Sequence, residues 1–362
     1  YVGDLEDLRT VNALKETIQR METLLEVEPG VVVCDMHPKY NSTVVAEELG
    51  LPVLKVQHHY AHILSCMAEN DWMEQVIGVS FDGTGYGTDG TIWGGELLLA
   101  DLDGFQRIGS VEPFLQAGGD LSAKEGWRIA VSLIWQISES KDEAMQIIQK
   151  LGLCEEKEAK VQLAMLERKI NAVESTSAGR LFDGISAILG IRKKSSFEGE
   201  ASMALEFAAE AYEKRSGEKK INVSDGQKCL TESADDGREL LLTSRLVRAA
   251  VEVVSNIGEN AVAEDTFDQD LIEKAAYEFH KGLAEQIVTA CIHAKETGCQ
   301  TAALSGGVFQ NGLLLRLTED GLIANGFHVL THQMIPPNDG GIALGQAFYG
   351  MNHECVEEAP IL

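Results

Sequence analysis

Two histidines one helical turn apart stand in Gln57-His58-His59-Tyr60-Ala61-His62. His58 and His62 are i and i+4, so on a helix both imidazoles leave the same face. That spacing offers two nitrogen ligands to a first-row metal. A second apolar run, residues 76–81, ends in Asp82 and the glycine-rich turn Asp82-Gly-Thr-Gly-Tyr-Gly87. Another carboxylate, Asp339, stands in Pro336-Pro-Asn-Asp-Gly-Gly341. Two histidines and two aspartates predict a metal site of Fe or Zn type at His58, His62, Asp82 and Asp339. Beside it, the glycines at 83–87 would let backbone N–H groups approach phosphate oxygens. The competing readings are polar residues on an amphipathic helix and an ordinary hairpin turn. No glutamate base sits in an HExxH frame, so the pattern points to nucleotide chemistry rather than proteolysis.

Other turns carry related chemistry. Ser305-Gly306-Gly307 follows a strand, with Asn311 four residues beyond Gly307, as in a nucleotide-binding turn that enters a helix N-terminus. In Ser177-Ala-Gly179-Arg-Leu-Phe-Asp183, Gly179 and Asp183 share a helix face, where a flat ligand could pass the glycine and give its ribose hydroxyls to the carboxylate. Lys124 and Arg128 are helix-spaced cations that could clamp phosphate. For each of these, a plain structural turn or a solvated helix face is the alternative. His59 points about 100° away from His58 and either faces substrate or packs. His37, His280, His293, His328, His332 and His353 lack paired spacing and read as structural. No Ser/His/Asp or Cys/His nucleophile arrangement is legible, and Cys34 and Cys66 read as packing residues.

The elements that must position these groups alternate. A periodic helix over residues 5–27 is stopped by Pro29-Gly30. A strand over 31–34 ends at Asp35, a helix covers 43–48 and a strand covers 51–56. Short strands at 76–81, 91–94, 96–100 and 106–110 read as an antiparallel meander with glycine turns. Residues 121–213 read as mainly helical and 214–238 as a polar, exposed excursion. The finish is α/β again: helix 271–297, strand 301–304, helix 313–318, strand 328–331 and helix 342–349.

At 362 residues the chain suits two domains or one large two-lobed unit. Its 57 acidic and 30 basic residues give a net charge of -27, a field that disfavours nucleic acid as a partner. Seven cysteines without a C-x-x-C pair argue against a disulfide framework and fit reduced thiols in a cytoplasm. No apolar run reaches the roughly 18 residues of a membrane span. The first residue is a tyrosine, which predicts a piece of a longer protein.

Taken in order, Cys34-Asp-Met-His-Pro-Lys-Tyr40, Gln57-His-His-Tyr-Ala-His62, Phe81-Asp-Gly-Thr-Gly-Tyr-Gly87, Trp93-Gly-Gly-Glu96, Thr176-Ser-Ala-Gly-Arg-Leu-Phe-Asp183, Phe197-Glu-Gly199, Ser305-Gly-Gly-Val-Phe-Gln-Asn311 and Pro337-Asn-Asp-Gly-Gly341 resemble the HypF carbamoyltransferases of [NiFe]-hydrogenase maturation. The resemblance runs from about residue 1 to 350 and covers the C-terminal transferase module, which is also similar to the tRNA threonylcarbamoyl-transferases. It implies an α/β, actin-like and sugar-kinase-like ATPase fold, with two RNase-H-like lobes around a nucleotide cleft. On that pattern residues 1–115 form the first lobe and 116–362 the second. A helical insertion falls at about 121–260, and the final helix packs back on the first lobe.

The implied activity is transfer of the carbamoyl group from carbamoyl-adenylate to the C-terminal cysteine of the partner HypE, for the cyanide ligands of the hydrogenase. His58, His62, Asp82 and Arg128 are the expected catalytic residues. Thr84, Gly85, Gly179, Asp183, Gly306, Gly307 and Asn311 are the expected contacts to adenine nucleotide, with Mg as an accompanying ion. The family's acylphosphatase, zinc-finger and YrdC-like segments have no counterpart here, so carbamoyl-adenylate would have to be supplied. The upstream strands of the first lobe are also missing from the pattern, and Gly126 stands where the family carries proline. The other readings are threonylcarbamoyl transfer to tRNA, O-carbamoyl transfer to a small molecule, and a non-catalytic docking and nucleotide-binding module.

Overall fold

The structure, a computed structural model, describes residue 3 and residues 5–218, 230–259 and 265–353. Part of the polar excursion expected at 214–238 falls outside them, as do Cys229 and Cys355.

Helix α1 (Leu8–Leu25) starts at Asp7, whose carboxylate accepts the Arg9 N–H, and ends in a left-handed Glu26. Strands β1 (Val32–Asp35) and β2 (Val53–Val56) flank α2 (Asn41–Glu48) and pair in parallel, with Asp35 opposite Val56. Both strands therefore end on the same side. Helix α3 (His58–Glu69) leaves from there, its first turn capped by the Gln57 side chain on the Tyr60 N–H.

Strands β3 (Val76–Tyr86), β4 (Ile92–Ala100) and β5 (Phe105–Val111) form an antiparallel meander. Two of the expected glycine turns are absent from this meander. Residues 82–86 continue β3, with an irregular register between Phe81 and Gly85, and the turn comes only at Gly87–Thr91. Gly94-Gly95 likewise lies inside one strand. A side chain at either would collide with Ser177 or Thr176, so these glycines admit a neighbouring element rather than turn the chain.

Next come β6 (Phe114–Ala117), helices α4 (Leu121–Lys124), α5 (Gly126–Ile137), α6 (Lys141–Lys150) and α7 (Glu156–Arg168), then β7 (Ala172–Ser175). The last pairs with β6 and was hidden inside the stretch expected to be helical. Helices α8 (Ala178–Ile188) and α9 (Glu200–Ser216), the hairpin β8 (Thr231–Ser233) and β9 (Glu239–Leu241), α10 (Thr243–Glu259) and α11 (Asp265–Ala294) follow. The chain returns to the central sheet through β10 (Thr301–Ser305), α12 (Gly312–Ala324), β11 (His328–Leu330) and α13 (Ile342–Asn352).

The large sheet runs β11-β10-β3-β4-β5-β9-β8, with β10 parallel to β3. β3–β5 and the C-terminal strands thus share one sheet across the division expected at residue 115. Ile77, Val79 and Phe81 face the larger core with α5, α8, α11 and α12. On the other face α3 packs on β3 and β10, and Ile63 fills the space above Gly78. α13 lies against α3 and β1. Among the described residues no helix is long and apolar enough to cross a membrane.

Candidate functional site

In open α/β sheets ligands gather at the carboxyl ends of parallel strands. Here Asp35 ends β1, Gln57 follows β2, Asp82 lies where β3 becomes irregular, and Ser305 ends β10. α3 brings its first turn to that edge. The ligand atoms of His58, His62, Asp82 and Asp339 lie within 4.8 Å of one another. His58 Nε2 is 3.3 Å from Asp82 Oδ2 and 3.4 Å from Asp339 Oδ1, while His62 Nε2 is 3.4 Å from Asp339 Oδ1 and 3.9 Å from Asp82 Oδ2. Tetrahedral ligands about 2.1 Å from a central ion stand about 3.4 Å apart. The cluster therefore has close to the spacing a small cation requires.

The supporting groups leave the ligand atoms free to face inward. His58 Nδ1 lies 2.9 Å from Asp35 Oδ2, and a proton on Nδ1 donated to that carboxylate directs the Nε2 lone pair at the cluster. The Gly307 N–H donates to Asp82 Oδ1 at 2.9 Å, which leaves Oδ2 for the imidazoles. His62 Nε2 is buried without a hydrogen-bond partner, an arrangement that is costly unless something occupies the cluster.

Charge tells the same story. Burial opposes protonation of His58, yet its hydrogen bonds to Asp339, Asp35 and Asp82 raise its pKa well above the ordinary value. Burial would raise Asp82, but the His58 hydrogen bond and the neighbouring imidazoles hold its carboxyl far below the usual range. Asp339 is held down against burial by His58 and His62. Three carboxylates around two imidazoles create a demand for positive charge that a cation would satisfy. The residues present fit a divalent metal.

His59 belongs to a different environment. It is fully buried, its Nδ1 is 3.1 Å from Gln57 Nε2, and burial holds its pKa well below the ordinary value, so the ring is neutral. A Cβ at Gly85 would come 2.4 Å from His59 Cε1.

The other glycines are explained in the same way. A side chain at Gly179 would strike Gly83 Cα at 2.9 Å, one at Gly306 would strike Phe81 O at 2.2 Å, and one at Gly307 would meet Asp82 Oδ1 at 2.8 Å. Gly306 also has φ +100°, a region closed to most side chains. These glycines draw α8 and the segment after β10 tightly around residues 81–85. Thr84 donates its hydroxyl to Gly83 O and is exposed.

Several expected contacts are engaged elsewhere. Asp183 is buried, 3.3 Å from Ser202 Oγ and 3.0 Å from Arg180 Nε, and burial raises its pKa. Asn311 caps α12, with Oδ1 accepting the Leu314 N–H while Nδ2 lies 2.9 Å from His280 Nε2. Arg128 pairs with Glu125 at 2.7 Å, donates to Gln162 and covers the Trp127 ring. None of these Arg128 contacts involves the His58–Asp339 cluster.

Three features escaped the sequence reading. In the sequence Asp35 reads only as the end of a strand. Arg107, over the Trp93 ring at 4.1 Å and 2.7 Å from the wholly buried Glu96, locks β4 to β5, and Thr176 donates its hydroxyl to the same carboxylate. Arg180 reaches the glycine strand, since a Cβ at Gly83 would lie 3.9 Å from its Nη2. A basic residue three positions past the helix-capping Ser177 was the available signal.

Comparison with known proteins gives a consistent result. Residues 78–346 match the family model described as carbamoyltransferase, Kae1-like domain, second subdomain, and residues 1–69 match the HypF Kae1-like domain. The chain is 33% identical to the carbamoyltransferase HypF homolog of Cupriavidus necator, over 99% of this chain and 87% of that protein. It is 34% identical to the carbamoyltransferase HypF of Synechocystis, over 96% of this chain but 43% of the relative. The solved structure of full-length HypF in the phosphate- and nucleotide-bound form superposes with a TM-score of 0.80 at 34% identity, covering 97% of this chain and 42% of that one. The chain thus spans less than half the length of several relatives that it matches.

Proposed function

The chain belongs to the HypF carbamoyltransferase family, and on that premise we propose that it transfers the carbamoyl group of carbamoyl-adenylate to the C-terminal cysteine thiolate of a HypE-type partner, toward the cyanide ligands of [NiFe] hydrogenase. The observation that carries this reading is the convergence of His58, His62, Asp82 and Asp339 at the carboxyl edge of β1 and β3. In this reaction the thiolate attacks the carbamoyl carbon, a C–S bond forms, and the C–O bond to phosphate breaks with its electron pair leaving on AMP. His58, His62, Asp82 and Asp339 would hold Fe or Zn, which when bound supplies Lewis acidity to the mixed anhydride. Asp35 fixes the tautomer of His58, and the Gly307 N–H aims Asp82.

Adenine nucleotide, with Mg as an accompanying ion, is taken beside the place where Gly179, Gly306 and Gly307 close on residues 81–83, with Thr84 and Gly85 next along the same strand. Asp183 and Asn311 lie behind these turns and hold Arg180 and the start of α12. Of the two arginines, Arg180 stands beside the glycine strand and is the better placed to meet phosphate; Arg128 braces α5 against α7. The division between the two lobes falls best between α3 and β3, where the strand pairing changes sheets.

The acceptor thiol comes from the partner. Burial raises Cys34 and Cys66, pushes Cys154 up to about 11 and pushes Cys291 up to about 12, so these four are protonated thiols at neutral pH. The test is to incubate the protein with synthetic carbamoyl-adenylate and HypE and weigh HypE by mass spectrometry. A gain of one carbamoyl group is expected. Unmodified HypE, with a folded protein that still binds adenine nucleotide, would leave only the docking reading.

A further inference from the structure

Asp339 is the most exposed of the four clustered residues, its side chain 73% accessible, and it stands on the loop between β11 and α13. A ligand on a surface loop needs restraint, and the structure supplies it from the helix that carries the histidines. Glu69, the last residue of α3, has Oε2 2.8 Å from His332 Nδ1. Its Oε1 accepts the N–H groups of Gln333, Met334 and Ile335 at 2.8, 2.5 and 3.3 Å. His332 Nε2 in turn lies 2.8 Å from Ser305 Oγ, at the end of β10 and two residues before the N–H that holds Asp82. Beyond Asp339, the Ser65 hydroxyl donates to Gly341 O at 2.8 Å.

His58, His62, Ser65 and Glu69 are separated by four, three and four residues, so all four lie on one face of α3. We propose that this face acts as a rack for Asp339: Glu69, through His332 and the backbone of 333–335, and Ser65, through Gly341, are positioning residues that hold the Asp339 loop against the two histidines.

Ser305, His332 and Glu69 have the hydrogen bonds of a nucleophilic triad, an arrangement that is not legible in the sequence. A covalent role does not follow. Ser305 is wholly buried, and the cavity of about 320 Å³ next to it is lined by Leu304 and His332 but not by Ser305. A nucleophile without access cannot attack; the same bonds fix the loop.

The inference rests on the metal reading of the cluster, and its test separates the two. Co²⁺ is titrated into metal-free protein and followed by visible absorption. Removal of groups that orient metal ligands typically costs 10–100-fold in affinity, so Glu69→Ala should weaken Co²⁺ binding by roughly that factor. Glu69→Gln keeps an acceptor for the three N–H groups and should recover part of the loss. Ser65→Ala removes one neutral hydrogen bond and should cost roughly fivefold, and it carries the test if Glu69→Ala does not fold. In an Asp339→Ala background neither change should cost anything further, because both act through Asp339. Wild-type binding with unaffected Glu69 and Ser65 variants, or equal losses without Asp339, overturns the rack alone. Wild-type protein that takes up no Co²⁺ overturns the metal reading and the rack with it.

Discussion

Gly345 sets the distance between α13 and α3. A Cβ at this position would lie 1.9 Å from Ala61 O, 2.7 Å from Ser65 N and 2.9 Å from Ala61 C, all backbone atoms of a second helix. Carbon–oxygen contacts settle near 3.3–3.6 Å, so Gly345→Ala must part the helices by about 1.5 Å. Two effects compete. Replacing a mid-helix glycine by alanine favours the helix by about 1 kcal/mol. Overpacking costs about 1–3 kcal/mol, and backbone that cannot rotate away puts this site at or above the upper end. The clash wins, with a net loss of about 2 kcal/mol.

Gly350→Ala on the same helix is the control. Its new methyl would meet Val33 Cγ2 at 2.6 Å, a side-chain atom that can move, so the two effects nearly cancel. Urea denaturation of the two variants beside wild type measures the difference. Gly345→Ala as stable as wild type, or no less stable than Gly350→Ala, would refute the close crossing. The crossing also bears on the site, because α13 begins three residues after Asp339.

His280 is fully buried, and burial holds its pKa down to about 4, below the ordinary 6.5. The unfolded chain then binds more protons between those values, so its stabilising contribution is complete above about pH 6.5 and falls by about 3 kcal/mol as pH drops to about 4; denaturation midpoints of His280→Gln should show a shallower pH slope. Asp35→Asn removes the charge that orients His58 and should weaken Co²⁺ binding by roughly 10–100-fold, read by the same titration. Converting Cys34, Cys66, Cys154, Cys291 and Cys299 singly to alanine should leave transfer from supplied carbamoyl-adenylate largely intact, whereas His62→Ala should reduce it strongly. Loss of transfer in one folded, metal-loaded cysteine variant would point to a carbamoyl-enzyme.

What was legible in the sequence was local. The i, i+4 histidines, the strand end at Asp35, the carboxylate at Asp82 and the alternation of strands and helices depend on residues close in the chain. Glycine misled where its reason was distant: the runs at 83–87 and 94–95 look like turns until Ser177, Thr176 and His59 occupy the space beside them. β7 was lost because four residues without strong alternation cannot outvote the helices around them. The Glu69–His332 contact joins residues 263 apart, and no spacing rule reaches that far. Asp183 and Asn311 show the converse, since a polar side chain four residues after a glycine serves a buried ion pair or a helix cap as readily as a ligand.

The place of β3 in the sheet has a consequence for how the protein is made. β3 is internal, with β4 on one side and β10 on the other, and the Asp82–Gly307 bond spans 225 residues. At a synthesis rate of about 5–20 residues per second, β10 emerges on the order of ten to forty-five seconds after β3. For that interval the nascent chain carries a strand whose first half, Val76–Phe81, is mainly apolar, with one ladder edge open to other polypeptides. The parallel partner that closes this edge also delivers the backbone N–H that orients Asp82. Quality control of the newborn chain and assembly of its cluster are therefore decided by the same late pairing.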